Sequence, residues 1–90
     1  PDRMRLDRTP DGFAIEANDL ASLFDRTPEE VRRMMREGRI TSRVERGQDE
    51  DEGRHRVTFQ DGARRVRLIL DESGLVIQRS RTPVLSRKPA

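Results

Sequence analysis

Residues 18–40 read NDLASLFDRTPEEVRRMMREGRI, and this stretch decides the fold. It predicts two short helices separated by a tight turn. In the first helix, Asp19–Phe24, the apolar side chains of Leu20 and Leu23 recur at the spacing of one helical face. Asn18 immediately precedes this helix, and its short polar side chain is of the type that caps helix N-termini. We therefore expect Asn18 to cap the first helix.

The second helix has clear start and stop signals in the sequence. Thr27 is expected to cap it, and Pro28 suits the first helical position, where no amide hydrogen bond is needed. Glu29 and Glu30 place negative charge at the positive end of the helix dipole. Gly38 can adopt the left-handed conformation that ends a helix. The apolar stripe of this helix consists of Val31, Met34 and Met35.

Beyond the second helix, the apolar period changes to the alternation of β-strands. Asp61 and Gly62 form a dipeptide that favours a type I′ hairpin turn. In the last strand, Leu75 and Ile77 are expected on the core side and Val76 on the outer side. We expect an α+β domain with a short N-terminal strand, a helix-turn-helix-like pair and a three- to four-stranded antiparallel meander. This order of elements is winged-helix-like.

The length of 90 residues allows one small domain. Residues 1–11 and 81–90 are rich in proline and charge, so we expect a flexible N-terminal segment and a flexible basic C-terminal tail. The folded α+β domain is expected over residues 12–80. A domain of this size buries only about 60% of its surface on folding. The chain also has no cysteine to add a disulfide or a thiolate metal site, so we expect a homodimer.

The composition argues against several classes of protein. No apolar run is long enough to span a membrane and no signal-peptide pattern occurs, so we expect a cytoplasmic protein with no membrane association. The single histidine, His55, lies between two arginines, and the sequence indicates no catalytic partner for it. Phosphate-binding loops, nucleophile elbows and metal-ligand spacings are also missing from the sequence. We therefore expect no enzymatic activity, no cofactor and no metal.

Charge is segregated along the chain. Residues 53–70 contain five arginines and one aspartate, whereas residues 45–52 contain five acidic residues and one arginine. Segregated charge favours a charged partner, although a solvated surface produces the same pattern. The acidic loop, residues 47–53, has the wrong sign for contact with phosphate.

The two-helix unit is similar to the helix-turn-helix of excisionase and MerR-type regulators over residues 18–40. Ala21 stands where that motif has a small residue, and Asp25 where it usually has the turn glycine. The stretch REGRI, residues 36–40, resembles the exit of a recognition helix into a wing. Two features depart from the motif. Arg26 occupies a turn position that is usually apolar, and acidic residues begin the presumed recognition helix, where they repel phosphate.

Most of the chain also resembles a family of short bacterial proteins known only as a domain of unknown function. The resemblance rests on three stretches: FAIEANDLASLF (13–24), TPEEVRRMMREGRITSRVERG (27–47) and GRHRVTF (53–59). It extends from residue 13 to about residue 80 and implies no activity.

Two interpretations of the function stay open. The first is a small DNA-binding or regulatory protein that contacts double-stranded DNA through arginines on or after the second helix and on the predicted sheet. These candidate residues are Arg32, Arg33, Arg36, Arg39, Arg64, Arg65 and Arg67. The second is a protein-interaction module or dimeric adaptor that uses the same scaffold to bind a protein partner and no nucleic acid.

Overall fold

The computed structural model describes residues 4–10, 12–47 and 52–84. It confirms the α+β prediction: two helices accompany a four-stranded antiparallel sheet of order β3-β4-β5-β6, and a separate two-stranded sheet pairs β1 with β2. The elements are β1 (Asp7–Thr9), β2 (Gly12–Ala14), α1 (Ala17–Phe24), α2 (Pro28–Arg36), β3 (Thr41–Arg46), β4 (His55–Gln60), β5 (Arg64–Leu70) and β6 (Val76–Pro83).

Helix α1 begins earlier than the sequence predicted. Its N-cap is Glu16, which makes no side-chain capping bond, and Asn18 lies within the helix. The prediction that Asn18 caps α1 is therefore wrong. The Leu20 amide donates to the Glu16 carbonyl over 3.0 Å, which closes a helical turn ahead of the expected start. At the other end, Asp25 takes the left-handed conformation with φ of 55°.

Helix α2 follows its sequence signals closely. The Thr27 hydroxyl accepts a hydrogen bond from the Glu30 amide, and the Glu30 carboxylate accepts one from the Thr27 amide, at 3.1 and 3.0 Å. This reciprocal pair is a capping box, and Pro28 occupies the first helical turn as predicted. Gly38 has the predicted left-handed conformation, with φ of 72°. The start and end of α2 are thus determined by local sequence.

One core lies between the helices and a single face of the four-stranded sheet. Helix α1 packs on α2 and reaches β5, so the helices form one layer and the sheet the other. Alternate residues of β4 and β5 point into this core because successive side chains in a strand face opposite ways. The sheet contributes Val57, Phe59, Val66, Leu68, Leu70 and Val76, and the helical layer Leu20, Ala21, Leu23, Phe24, Val31 and Met34.

The turn between β4 and β5 differs from the predicted type I′ geometry. Neither Asp61 nor Gly62 has a positive φ, which a type I′ turn requires at both central residues. Asp61 is instead only 5% exposed, and its carboxylate accepts the amides of Ala63 and Arg64 at 2.7 Å each. Its other oxygen lies 3.6 Å from Nε of Arg26, in the turn between the helices. Asp61 therefore ties the hairpin to the helical layer, and this contact gives a reason for a charged residue at turn position 26.

The inward and outward sides of β6 are reversed relative to the prediction at its start. Val76 is 9% exposed and belongs to the core, whereas Ile77 is 39% exposed. The pairing of β5 with β6 has a register irregularity between Ile69 and Leu70. A one-residue shift moves each side chain to the opposite face of a strand, which accounts for the reversal.

The packed part of the chain extends beyond residues 12–80 at both ends. Leu6 is 1% exposed, and its amide donates to the Gly74 carbonyl over 2.8 Å. The Val76 amide donates to the Met4 carbonyl over 2.9 Å, so residues 4–6 run antiparallel to residues 74–76. At the other end, β6 continues past the predicted boundary to Pro83. Residues 1–3, 11 and 85–90, which belong to the segments predicted to be flexible, lie outside the described residues.

Candidate nucleic-acid interface

One face of the four-stranded sheet is not covered by the helices. The cross-strand register identifies its residues, because directly paired residues share a face. This uncovered face consists of Thr41, Arg43, Glu45, Arg56, Thr58, Gln60, Arg65, Arg67, Ile69, Gln78, Ser80 and Thr82. None of these residues is aromatic, and Ile69 is the one apolar member. The uncovered face is therefore a polar surface.

The charge of the uncovered face is strongly positive. Four of its residues are arginines, and Glu45 is its one acidic residue. Arg56 Nε donates to a Glu45 oxygen over 3.0 Å, and Arg65 Nε donates to Gln60 Oε1 over 3.2 Å. The two remaining arginines, Arg43 and Arg67, form no ion pair within 4.0 Å with any residue that the structure describes. Together with Arg65, whose partner Gln60 is neutral, they carry the three uncompensated positive charges of this face.

Glu45 stays ionised in this setting. The hydrogen bond from Arg56 lowers the pKa of its carboxyl group, and the charges of Arg56, Arg43 and Arg67 lower it further, against a smaller opposing effect of burial. One carboxylate therefore offsets one of four guanidinium groups. The three remaining positive charges are available to an anionic partner.

A shallow groove of about 410 Å³ crosses this face. Three arginines and one carboxylate line it, together with hydroxyl and amide groups. These residues are Arg43, Arg65, Arg67, Glu45, Thr41, Ser42, Thr58 and Gln60. Guanidinium, hydroxyl and amide donors are the groups through which proteins hold phosphate oxygens. The groove has the chemistry of a phosphate-binding surface.

Arg64 does not belong to this face, although the sequence grouped it with Arg65 and Arg67. Successive residues of a strand point to opposite sides, so Arg64 lies on the helical side. Its guanidinium donates to the Phe24 carbonyl over 3.1 Å and to the Asp25 carboxylate over 2.8 Å. Arg64 thus bonds the carbonyl end of α1 and lies on the opposite side of the sheet from Arg65 and Arg67, and a role in DNA contact stays a prediction for it.

The candidate arginines of the helical layer form a separate group. Arg32, Arg33 and Arg36 are exposed on α2, whereas Arg39 lies 3.7 Å from the Glu37 carboxylate. These residues belong to a different layer from Arg65 and Arg67, so the structure does not unite the seven candidates. The carboxyl group of Glu30 lines the same side of α2. Hydrogen bonds from Thr27 lower its pKa, which keeps a negative charge beside these arginines.

The family model for a family of unknown function, DUF6522, matches residues 4–90. The chain belongs to this family. No curated protein and no solved structure matches it. The family match agrees with the resemblance to an uncharacterised bacterial family, whereas the excisionase and MerR-type resemblance stays a prediction. The winged-helix likeness also stays a prediction.

Sequence reasoning missed Arg43 and Arg56 as members of the charged face of this DUF6522 chain. Neither is among the seven candidate arginines, which lie on or after α2 and on β5, whereas Arg43 lies on β3 and Arg56 on β4. The register shows that Arg43 pairs with Thr58 and that Thr58 pairs with Arg67, which puts all three side chains in one row. The alternation of charged residues in SRVER and HRVTF was the available signal, but it required the pairing of β3, β4 and β5.

Other sites considered from the sequence gain no support as catalytic or metal centres. The His55 ring packs edge-on against Phe13, with centroids 5.1 Å apart, and its buried Nδ1 has no hydrogen-bond partner in the part of the chain that the structure describes. Among the described residues, no group of three metal-binding side chains occurs. The central acids of the acidic loop, residues 49–51, lie outside these residues. None of the helices in the described part of this DUF6522 chain is long and apolar enough to cross a membrane.

Proposed function

We propose that this chain is a small, non-enzymatic DNA-binding or regulatory protein that contacts double-stranded DNA through the uncovered face. The observation that supports this proposal is the charge of the face: four arginines and one carboxylate on one exposed side of the sheet. Arg43, Arg65 and Arg67 line a single groove. Neutralisation of phosphate charge by arginine supplies most of the affinity of proteins for duplex DNA.

The chemistry of the face favours duplex DNA over single strands. Proteins that bind single-stranded nucleic acids stack bases on aromatic side chains, and the uncovered face has none. The outer strands of a four-stranded sheet lie about 14 Å apart, since neighbouring strands are spaced by about 4.8 Å. The major groove is about 12 Å wide. The sheet would therefore rest on the phosphate backbone, and we expect weak dependence on DNA sequence.

The competing version of this proposal is the helix-turn-helix mode, in which Arg32, Arg33, Arg36 and Arg39 contact DNA. Glu29 and Glu30 oppose it, because they begin the helix that would approach the phosphates. The Glu30 carboxylate also accepts the capping-box hydrogen bond from the Thr27 amide. It cannot move away from an approaching phosphate without breaking that bond.

The experiment compares two double variants that each remove two positive charges from one layer. Labelled duplex DNA is titrated with wild type, with Arg65→Ala/Arg67→Ala, and with Arg32→Ala/Arg36→Ala, by fluorescence anisotropy at several salt concentrations. We expect the first variant to bind more weakly and its dependence of log K on log salt to flatten by about 1.8, which is the loss of two phosphate contacts. The second variant should bind as wild type does.

Each alternative outcome has a clear meaning. Loss of binding in Arg32→Ala/Arg36→Ala alone would assign DNA binding to α2 and reject the uncovered face. Wild-type binding that vanishes near physiological salt would reject DNA as the partner. The alternative function, protein interaction, would then be favoured, and it has support of its own in the exposed edge strand β3.

A further inference from the structure

Strand β3 forms one edge of the four-stranded sheet, and half of its backbone groups have no partner strand among residues 4–10, 12–47 and 52–84. The Gly47 amide donates to the Arg54 carbonyl over 2.8 Å, which makes these two residues a hydrogen-bonded pair in the β3–β4 ladder. Such pairs alternate with non-bonded pairs in antiparallel ladders. Ser42, Val44 and Arg46 therefore direct their N–H and C=O groups outward, away from β4.

The side chains along this edge are also accessible. Every residue of β3 except Glu45 is exposed, and Val44 is 40% exposed, although it lies on the helical side of the sheet. A long exposed edge strand is a template for pairing with another strand. This edge therefore offers both unpaired backbone and an apolar side chain.

We infer that two copies of this chain pair antiparallel through β3, with Val44 opposite Val44 of the second copy at a twofold axis. The inference does not depend on DNA binding. In this register Val44 forms a hydrogen-bonded pair with itself across the axis, and Ser42 of each copy pairs with Arg46 of the other. The result is a continuous eight-stranded sheet.

Charge complementarity favours this register over the two with an axis one residue away. A twofold axis at Val44 places Arg43 opposite Glu45 of the second copy, twice, and both side chains lie on the uncovered face. An axis at Arg43 would place two arginines opposite each other, and an axis at Glu45 two carboxylates. Opposite charges stabilise directly paired strand positions, and like charges destabilise them. The sequence of β3 is thus complementary to itself about Val44.

The other edge of the sheet, β6, is less suited to pairing. Residues 4–6 already run along its start, where the Val76 amide donates to the Met4 carbonyl. Its C-terminal end carries Pro83, which has no amide to donate. A twofold axis at Ser80, near the middle of this strand, would place Arg79 opposite Arg81 of the second copy. We therefore assign the contact to β3 alone.

The test measures molecular mass by analytical ultracentrifugation in the absence of DNA. Interference optics are required because the chain has no tryptophan or tyrosine. Wild type is expected to approach twice the 10.5 kDa chain mass as concentration rises. Arg43→Glu should weaken this association on the order of ten-fold, because each of two symmetric contacts changes from attraction to repulsion. Arg67→Glu, on a central strand of the same face, is the matched control and should associate as wild type does.

A mixing experiment makes the prediction specific to the register. Glu45→Arg should also weaken self-association, but an equimolar mixture of Arg43→Glu and Glu45→Arg should form a heterodimer, since each carboxylate then meets an arginine. Glu45→Arg loses the bond to Arg56 within its own chain, so far-UV circular dichroism must show that it is folded. If it is not, Arg43→Glu alone decides the test, because it leaves that bond intact.

Three results would overturn the inference. One is a wild-type mass that stays at 10.5 kDa at all concentrations. Another is unchanged dimerisation of Arg43→Glu. The third is a mixture of two folded single variants that stays monomeric. None of these outcomes bears on DNA binding through Arg65 and Arg67, so the two proposals fail separately.

Discussion

Substitution of Leu6 by alanine tests whether the N-terminal segment is part of the domain. The composition of residues 1–11 predicts a flexible segment, whose mutation would leave stability unchanged. In the structure, Leu6 is 1% exposed and is among the largest fully buried side chains. We therefore expect Leu6→Ala to destabilise the whole domain and not only its own end.

The size of the effect follows from burial. Truncation of a fully buried leucine to alanine removes apolar contact and leaves a cavity, at a cost of about 3 kcal/mol. A domain of this size has about 5–10 kcal/mol of folding free energy in total. Leu6→Ala is therefore expected to remove about a third or more of it. The backbone hydrogen bond between Leu6 and Gly74 is retained in this variant, so the measured loss of folding free energy is due to the side chain.

Urea denaturation followed by far-UV circular dichroism measures this change, because the chain offers no tryptophan or tyrosine for fluorescence. Asp7→Ala, at the exposed neighbouring position in β1, is the matched control and should shift the free energy of unfolding by about 0.5 kcal/mol at most. A Leu6→Ala variant that unfolds within that same margin of wild type would refute the reasoning. It would also restore the predicted boundary at residue 12.

Three further predictions concern other positions. Gly74→Ala should destabilise the domain by about 3 kcal/mol, because φ is +94° and an added Cβ would overlap the Leu6 carbonyl. Gly62→Ala is the control and should be neutral in the same urea titration, because its added Cβ meets open space. Thr27→Ala should cost about 1 kcal/mol at neutral pH. Hydrogen bonds from Thr27 lower the pKa of Glu30 below its usual 4.5, so this carboxylate stabilises the fold above pH 4.5 and the effect is lost as the pH falls. Thermal melts from pH 7 to pH 3 should therefore show a smaller loss in Thr27→Ala than in wild type. Arg64→Ala should lower the free energy of unfolding by about 1 kcal/mol, because the hydrogen bond to the Phe24 carbonyl of α1 is lost. Fluorescence anisotropy should show that the salt dependence of DNA binding is unchanged in this variant.

Elements specified by adjacent residues were predictable from the sequence. Helix α2 is the clearest example, because Thr27, Pro28, Glu30 and Gly38 determine its start and end within one short stretch. Its capping box and left-handed exit need no tertiary contact to form. The alternation of apolar residues in β4 and β5 likewise indicated which of their side chains face the core.

Features that depend on contacts between distant residues were not predictable in this way. The Asp61 carboxylate, which accepts the amides of its own turn, is also buried beside Arg26, 35 positions earlier in the chain. The inward orientation of Val76 depends on a register irregularity in β5. The membership of Arg43 in the uncovered face depends on which strands pair and in what register. Sequence pattern alone carries none of this information.

The contact between Leu6 and Gly74 also constrains when this domain can fold. Arg5 and Ser73, which flank it, are 68 positions apart and joined by a hydrogen bond of 3.1 Å. During synthesis, Leu6 leaves the ribosome long before the turn that covers it. Leu6 therefore cannot reach its native position until residues 74–76 have emerged, and we expect part of the core to be accessible to chaperones during that interval. Contacts between residues so far apart in sequence raise the contact order, so we expect this domain to fold more slowly than one held together by local contacts.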